Sequence, residues 1–130
     1  MSQRQEDARR RLQMTQDAAR GEAVAAQKLI DAFVVEAKAR GIASEPLRAT
    51  LLSGQSVKTD REGWYLRKNK SIGIGVDGGY YVLTVPGGAM ARFTGVKLSP
   101  TLPPLVVGRG GRDGETGDIG EYLQWRLDAG

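Results

Sequence analysis

The sequence predicts an α+β fold in which a long N-terminal helix and a short C-terminal helix pack on a four- or five-stranded antiparallel meander sheet. Residues 3–40 are rich in Ala, Arg, Gln, Glu and Lys and contain no proline, which predicts a helix. Residues 56–98 consist of short apolar runs separated by turn residues, which predicts strands. A length of 130 residues corresponds to one domain. We assign residues 22–130 to that domain.

The N-terminal helix divides into two parts at Gly21. In the second part, apolar side chains recur at three- and four-residue steps between Ala26 and Ala37, which predicts a buried face. In the first part, the apolar stripe is thin, and five arginines stand against three acidic residues. Residues 1–21 are therefore expected to form a helical arm that is either frayed or paired in a homo-oligomer, most simply a dimer.

The strands are predicted from regularly spaced turn residues. We expect them at 63–66, 72–76, 80–85 and 91–98, with a fifth at 57–59. The conformation of residues 42–56 stays open, because this segment is compatible with a short helix or with an extended approach to the first strand.

The hairpin that joins residues 72–76 to 80–85 allows a register to be predicted. A two-residue turn at Gly78-Gly79 would pair Asp77 with Tyr80 and place both glycines at positive φ. This register gathers only apolar side chains on one face, whereas a three-residue loop would add Thr84 to that face. We therefore prefer the two-residue turn.

The C-terminal part of the chain is predicted from its prolines and from a capping pattern. Three prolines within residues 99–107 exclude a helix and predict an extended segment. A helix is expected at about 119–128, with Asp118 as its N-cap and Glu121 completing a capping box. Trp64 and Trp125 are both expected in the core, because tryptophan buries a large apolar area.

The composition excludes several kinds of catalysis. The chain contains no Cys and no His, which removes thiol nucleophiles, thiolate or histidine metal sites and serine triads. No apolar run reaches the roughly 18 residues of a membrane-spanning helix, and the charged N-terminus does not resemble a signal peptide. We therefore expect a cytoplasmic protein with no cofactor, metal or membrane partner. We favour a binding protein over an enzyme and assign no catalytic residue.

The first candidate site is the run 108–118, in which five of eleven residues are glycine and five are charged. Two arginines among glycines suit a phosphate or a carboxylate. Equally, these charges would pair with one another and fix a loop that leads into the last helix. The run does not match the P-loop, dinucleotide or calcium-loop patterns. The candidate ligand-binding residues are Arg109, Gly110, Gly111, Arg112, Asp113 and Glu115.

The second candidate site is the basic turn at 67–70, which follows the predicted strand at 63–66. Residues 56–98 carry seven basic and three acidic residues, and aromatic residues adjoin the turn. Basic and aromatic side chains on a sheet are typical of nucleic-acid platforms, although lysines in a turn also serve as solvated edge protection. The candidate nucleic-acid-binding residues are Arg61, Arg67, Lys68 and Lys70.

Four motifs carry a resemblance to a known group of proteins. They are Gly63-Trp64-Tyr65-Leu66, Asp77-Gly78-Gly79-Tyr80-Tyr81-Val82-Leu83, Pro103-Pro104-Leu105 and Gly110-Gly111-Arg112-Asp113-Gly114-Glu115. Over most of residues 22–127 the chain resembles small conserved proteins of high-GC Gram-positive bacteria. That group has no assigned activity, so the resemblance implies a bacterial cytoplasmic protein and transfers no functional residue.

Three functions stay open at this point. The favoured one is a non-enzymatic binding or assembly module that engages a protein or an anionic ligand through the arginine–glycine run and the arm. The second is a nucleic-acid-binding protein that uses the basic hairpin 61–70 and the arm. The third is an enzyme that acts at residues 108–118.

Overall fold

The computed structural model describes residues 2–88, 90–108 and 116–130 and has the predicted α+β class. The segment 42–56, left open by the sequence, contains the first strand and the turn after it. The elements are α1 (Gln3–Ala39), β1 (Glu45–Leu51), β2 (Ser56–Tyr65), β3 (Ile72–Gly75), β4 (Tyr80–Val82), β5 (Thr84–Val85), α2 (Ala91–Thr94), β6 (Val106–Val107), β7 (Gly117–Asp118) and α3 (Ile119–Ala129).

The helix α1 runs through Gly21 without a break. It begins with a capping box that the sequence analysis did not identify: Ser2 Oγ accepts from the Gln5 N–H (3.3 Å), and Gln5 Oε1 accepts from the Ser2 N–H (3.4 Å). Buried residues begin only at Ala23. The part of α1 before Ala23 therefore extends beyond the packed domain. Among the described residues, no helix is both long and apolar enough to cross a bilayer.

The main sheet has the strand order β4-β3-β2-β1-β5, in which β5 pairs with β1 in parallel and the other pairs are antiparallel. Only Leu83 separates β4 from β5, and its backbone bonds on both sides, beside β3 and to β1. Its N–H donates to the Ser71 carbonyl (2.8 Å), and its carbonyl accepts from the Thr50 N–H (2.7 Å). The edge strands β4 and β5 are therefore consecutive in the chain, and the sheet curls so that they meet, which the predicted antiparallel meander does not include.

The predicted two-residue turn at Gly78-Gly79 is wrong. Ile74 pairs with Tyr80, and the hairpin closes through a three-residue loop in which the Gly78 N–H donates to the Gly75 carbonyl (2.9 Å). Of the two glycines, only Gly78 has positive φ (+85°). The Asp77 carboxylate stabilises this loop by accepting from the Gly79 N–H (2.8 Å), which is the local turn chemistry of aspartate.

The glycines of β3 explain why the register with the three-residue loop is the stable one. Both faces of β3 are buried. A Cβ at Gly73 would lie 3.0 Å from Leu47 Cδ1, and one at Gly75 would lie 2.8 Å from Tyr81 Cε2. The face that lacks side chains of its own is thus filled by large side chains from β1 and β4.

The sheet consequently separates a large core from two smaller ones. The large core lies between the sheet and the helices α1 and α3 and includes Tyr80. Tyr81 belongs to a different core, because adjacent residues of a strand point to opposite faces. The large core consists of Ala26, Ile30, Phe33, Val34, Ala37, Trp64, Leu66, Ile72, Ile74, Tyr80, Val107, Ile119 and Leu123. The smaller cores consist of Leu47, Tyr81, Leu83 and Leu98, and of Ala49, Leu51, Val57 and Ala91.

The predicted strand at 91–98 is also wrong, because this segment contains the helical turn α2 followed by a single bridge of Val96 to Thr59. The Gly95 N–H closes the turn on the Ala91 carbonyl (2.7 Å), and Gly95 has φ +78°. A Cβ at Gly95 would lie 2.8 Å from the Lys58 carbonyl oxygen. A glycine with positive φ and close backbone contact ends regular structure here.

The segment 99–107 contains no helix, as predicted, and its end pairs with β7 to form a two-stranded ladder of β6 and β7. Asp118 precedes α3, but its side chain makes no capping hydrogen bond, so the predicted capping box is not formed. The Leu105 carbonyl instead accepts from the Ile119 N–H (2.8 Å). A backbone group of the proline-rich segment thus satisfies the first amide of α3.

Candidate binding site

The residues predicted to form the ligand-binding loop lie outside the described part of the chain. They are Arg109, Gly110, Gly111, Arg112, Asp113 and Glu115. The two flanks of the run are described. Thr116 Oγ1 donates to the Gly108 carbonyl (3.4 Å), and Val107 pairs with Gly117 in the β6–β7 ladder. Gly108 and Thr116 therefore lie side by side.

A cavity of about 400 Å³ lies next to these flanks. One wall comes from the turn between β2 and β3, a second from residues 116–117, and a third from α3. It therefore joins the basic turn and the C-terminal flank of the glycine-rich run, which the sequence analysis treated as separate sites. We name this space the α3 cavity; the described residues that line it are Arg67, Lys68, Thr116, Gly117, Glu121, Tyr122 and Trp125.

Arg67 is the one buried charged residue in the described part of the chain, with 4% of its surface exposed. Its guanidinium carbon lies 5.6 Å from the centroid of the Tyr122 ring, and Nη1 donates to Ser71 Oγ (3.5 Å). Burial raises the pKa of Tyr80 to about 12, and the charge of Arg67 acts in the opposite direction. The positive charge of Arg67 thus acts inside the domain, in the wall of the α3 cavity.

Trp125 forms an aromatic part of this wall and is 37% exposed, so its predicted place in the core is wrong. The buried stripe of α3 consists of Ile119 and Leu123, one turn apart, which directs Trp125 away from the core. Glu121 lies four residues before Trp125 and therefore on the same side of the helix. The tryptophan and the carboxylate face the same cavity.

The ring of Tyr122 occupies a defined position between two groups. Arg67 lies over the ring, and a Cβ at Gly117 would lie 3.1 Å from Tyr122 Cε2. An added Cβ would require the ring to shift by a small amount. Gly117 therefore lets this aromatic wall of the cavity stand close to β7.

The four residues predicted to bind nucleic acid occupy three different environments. Arg67 and the exposed Lys68 line the α3 cavity. Lys70 adopts positive φ (58°) and places Nζ 5.1 Å from the ring centroid of Tyr65, outside the cavity. Arg61 belongs to a separate network with Asp77 and Tyr81. The structure thus brings two of the four together.

Arg61 connects the β3–β4 loop to the segment after α2. Its Nη1 donates to Asp77 Oδ2 (3.2 Å), and its Nε and Nη2 donate to the Leu98 carbonyl (both 3.2 Å). The guanidinium carbon lies 5.3 Å from the Tyr81 ring centroid, and the Tyr81 hydroxyl donates to Asp77 Oδ2 (2.8 Å). Arg61 accordingly has a structural role in holding three segments together.

This network shifts the pKa values of Asp77 and Tyr81 in opposite directions. Burial alone would raise the pKa of Asp77, but hydrogen bonds from the Gly79 N–H and the Tyr81 hydroxyl, with the charge of Arg61, lower it below its ordinary value. Burial, followed by the hydrogen bond and the negative charge of Asp77, raises the pKa of Tyr81 to about 12. The charged aspartate and the neutral tyrosine therefore stabilise one another.

We expect Tyr81→Phe to reduce the loss of stability at alkaline pH. The native state keeps the Tyr81 proton up to a pH of about 12, whereas the unfolded chain loses it near 10. The protonated Tyr81 hydroxyl therefore contributes its full stabilisation below a pH of about 10, and this contribution is lost as the pH rises toward 12. Urea denaturation across this range should show a shallower decline for the variant than for the wild type. Parallel declines in the two proteins would contradict the assignment.

Three or more acidic side chains that could share a metal ion do not occur together within residues 2–88, 90–108 and 116–130. Comparisons with protein-family models, curated proteins and solved structures found no match. The described walls of the α3 cavity combine two cationic side chains, a hydroxyl, one carboxylate and two aromatic rings.

Sequence reasoning identified Arg67 and Lys68 but missed Glu121, Tyr122 and Trp125. Glu121 had been assigned to a capping box and Trp125 to the core. A usable signal was present, because Trp125 lies two positions beyond the last buried residue of the short α3 stripe. An aromatic residue outside an apolar stripe is a surface residue by helical geometry.

Proposed function

We propose that this chain is a non-enzymatic cytoplasmic binding module that takes an anionic ligand in the α3 cavity. One observation carries the proposal: a buried arginine and an exposed lysine share a cavity with two aromatic rings. The exposed lysine can form short charge-assisted hydrogen bonds with a phosphate or a carboxylate, and the buried arginine adds positive charge to the wall. The cavity volume lies toward the lower end of the range for small-ligand sites, which is about 300–1,000 Å³.

The composition of the cavity favours binding over turnover. Its described walls contain a single carboxylate, Glu121, whereas two-carboxylate chemistry needs a pair. The chain also contains no histidine and no cysteine, which are frequent general bases and nucleophiles. The side chains that remain are suited to holding charge and apolar surface.

We expect Lys68→Gln to weaken the binding of phenyl phosphate by roughly tenfold, because a charge-assisted hydrogen bond is lost. Tryptophan fluorescence can report the binding, since Trp125 lines the cavity and Trp64 is buried in the core. Lys70→Gln is the matched control, with the same change of charge on the same turn but outside the cavity. Equal weakening by both variants would indicate a general charge effect and contradict a site at Lys68.

We also propose that the arm pairs with the arm of a second copy, as a dimer. The helix before Ala23 exposes its side chains, including Leu12 (60%) and Met14 (68%). Ala8, Leu12 and Ala19 continue at three- to four-residue multiples the stripe that is buried from Ala23 onward. A helical extension that packs on nothing is marginally stable in water, and pairing would stabilise it.

We expect deletion of residues 1–20 to convert the dimer into a monomer, as measured by the molar mass in light scattering. The circular dichroism of the β core should be retained. Leu12→Glu in the full chain provides a control for the shortening, because it places a charge in the stripe without removing residues. It should lower the mass in the same way. A monomer mass both before and after deletion would rule out pairing through the arm.

A further inference from the structure

We infer that the ligand of the α3 cavity is a nucleotide, with its base against Trp125 and its phosphate against the exposed Lys68. The inference rests on the proposed function and narrows its ligand class. It is carried by the placement of Trp125, Glu121 and Lys68 around one space.

Trp125 is the wall best placed to stack on a ligand. Tyr122 is held between Gly117 and Arg67, whereas more than a third of the Trp125 surface is exposed. Aromatic side chains stack on any base, because every base has a π face. A planar ligand that covers Trp125 would remove its exposed apolar surface from water.

Glu121 distinguishes a nucleotide from a simple anion. A carboxylate in the same cavity opposes the binding of inorganic phosphate or of a phosphorylated hydrocarbon ring. A base offers N–H groups, which an ionised carboxylate accepts. Guanine presents adjacent imino and amino donors, so it can engage both carboxylate oxygens. A guanine nucleotide therefore uses the cation, the ring and the carboxylate together.

The nucleotide can be free or part of a single strand, because the recognised chemistry is the same. Only a strand offers further phosphates beyond the one at Lys68. Salt dependence separates the two sources, since each further phosphate contact releases counterions and steepens the decrease of affinity with salt.

The test is calorimetric titration of the full chain with guanosine monophosphate, phenyl phosphate and a guanine-containing single-stranded oligonucleotide at two salt concentrations. Guanosine monophosphate should bind at least tenfold more tightly than phenyl phosphate. Trp125→Ala should weaken its binding by roughly tenfold or more. Gln124→Ala, on the same helix but outside the cavity lining, should leave it unchanged.

Glu121→Gln supplies a second readout, the preference for guanosine monophosphate over phenyl phosphate. Removal of the repelling charge acts on both phosphates, whereas replacement of one carboxylate acceptor by an amide donor acts only on the base, so the preference should fall by roughly tenfold. An unchanged preference would overturn base recognition by Glu121.

The outcomes separate the inference from the proposed function. Guanosine monophosphate that binds no more tightly than phenyl phosphate overturns the nucleotide inference and leaves anion binding in place. Binding of none of the three probes overturns both. Tighter binding of the oligonucleotide with a steeper salt dependence supports the inference with a strand as the source. Equal binding of the two nucleotide probes supports it with a free nucleotide.

Discussion

Replacing Gly63 with alanine should lower the free energy of unfolding by about 3 kcal/mol, as measured by urea denaturation. The added Cβ would overlap the carbonyl oxygen of Ile74 and lie 2.8 Å from the Cα of Gly75. Both contacts are with the backbone of β3, which pairs with β2 at this position. The backbone cannot retreat without losing ladder hydrogen bonds, so the cost lies at the upper end of overpacking effects.

Gly21→Ala is the matched control, because the same methyl group is added where no atom lies within 4 Å. Gly21 is in the interior of α1, where alanine favours the helix by about 1 kcal/mol. This variant should gain helicity by circular dichroism and keep or raise its urea midpoint. A Gly63→Ala protein as stable as the wild type would contradict the pairing of β2 with β3.

Trp64→Ala should lower the free energy of unfolding by about 3–5 kcal/mol. Trp64 is 2% exposed, and its ring meets that of Phe33 edge-to-face with centroids 5.5 Å apart. Its Nε1 donates to the Ile42 carbonyl (3.1 Å), which ties the chain after α1 to the sheet. Truncation leaves a cavity and removes this hydrogen bond. Chemical denaturation measures the loss.

Trp125→Ala removes the same atoms from the other tryptophan and should cost less than about 1 kcal/mol, because that ring is partly in water. The pair therefore separates a core tryptophan from a wall of the cavity. Equal losses in the two variants would contradict the assignment of Trp125 to an exposed wall and would weaken the argument for stacking.

The helices were predictable because their signals are local. The apolar positions of α1 between Ala26 and Ala37 recur with the helical period, and the structure buries that face. The absence of helix in residues 99–107 follows in the same way from the geometry of proline, which acts on its immediate neighbours. The α+β class follows from these signals and from the turn residues between strands.

The hairpin register was not predictable from its own residues. The two-residue turn was preferred because it gave one uniformly apolar face. In the structure both faces are apolar, since Leu47 and Tyr81 fill the space above Gly73 and Gly75. The side chains that decide the register come partly from β1, which is distant in sequence and whose own conformation had been left open.

The candidate site, too, combines properties that the sequence determines with properties that only the tertiary structure determines. Composition and turn chemistry in the sequence determined the helices, the presence of a sheet, the exclusion of cysteine and histidine chemistry, and the cationic character of Arg67 and Lys68. Only the tertiary structure decided that Arg67 is buried, that Trp125 is exposed, and that both line one cavity. Burial depends on which elements pack together, and the β2–β3 turn meets α3 across more than fifty residues of chain.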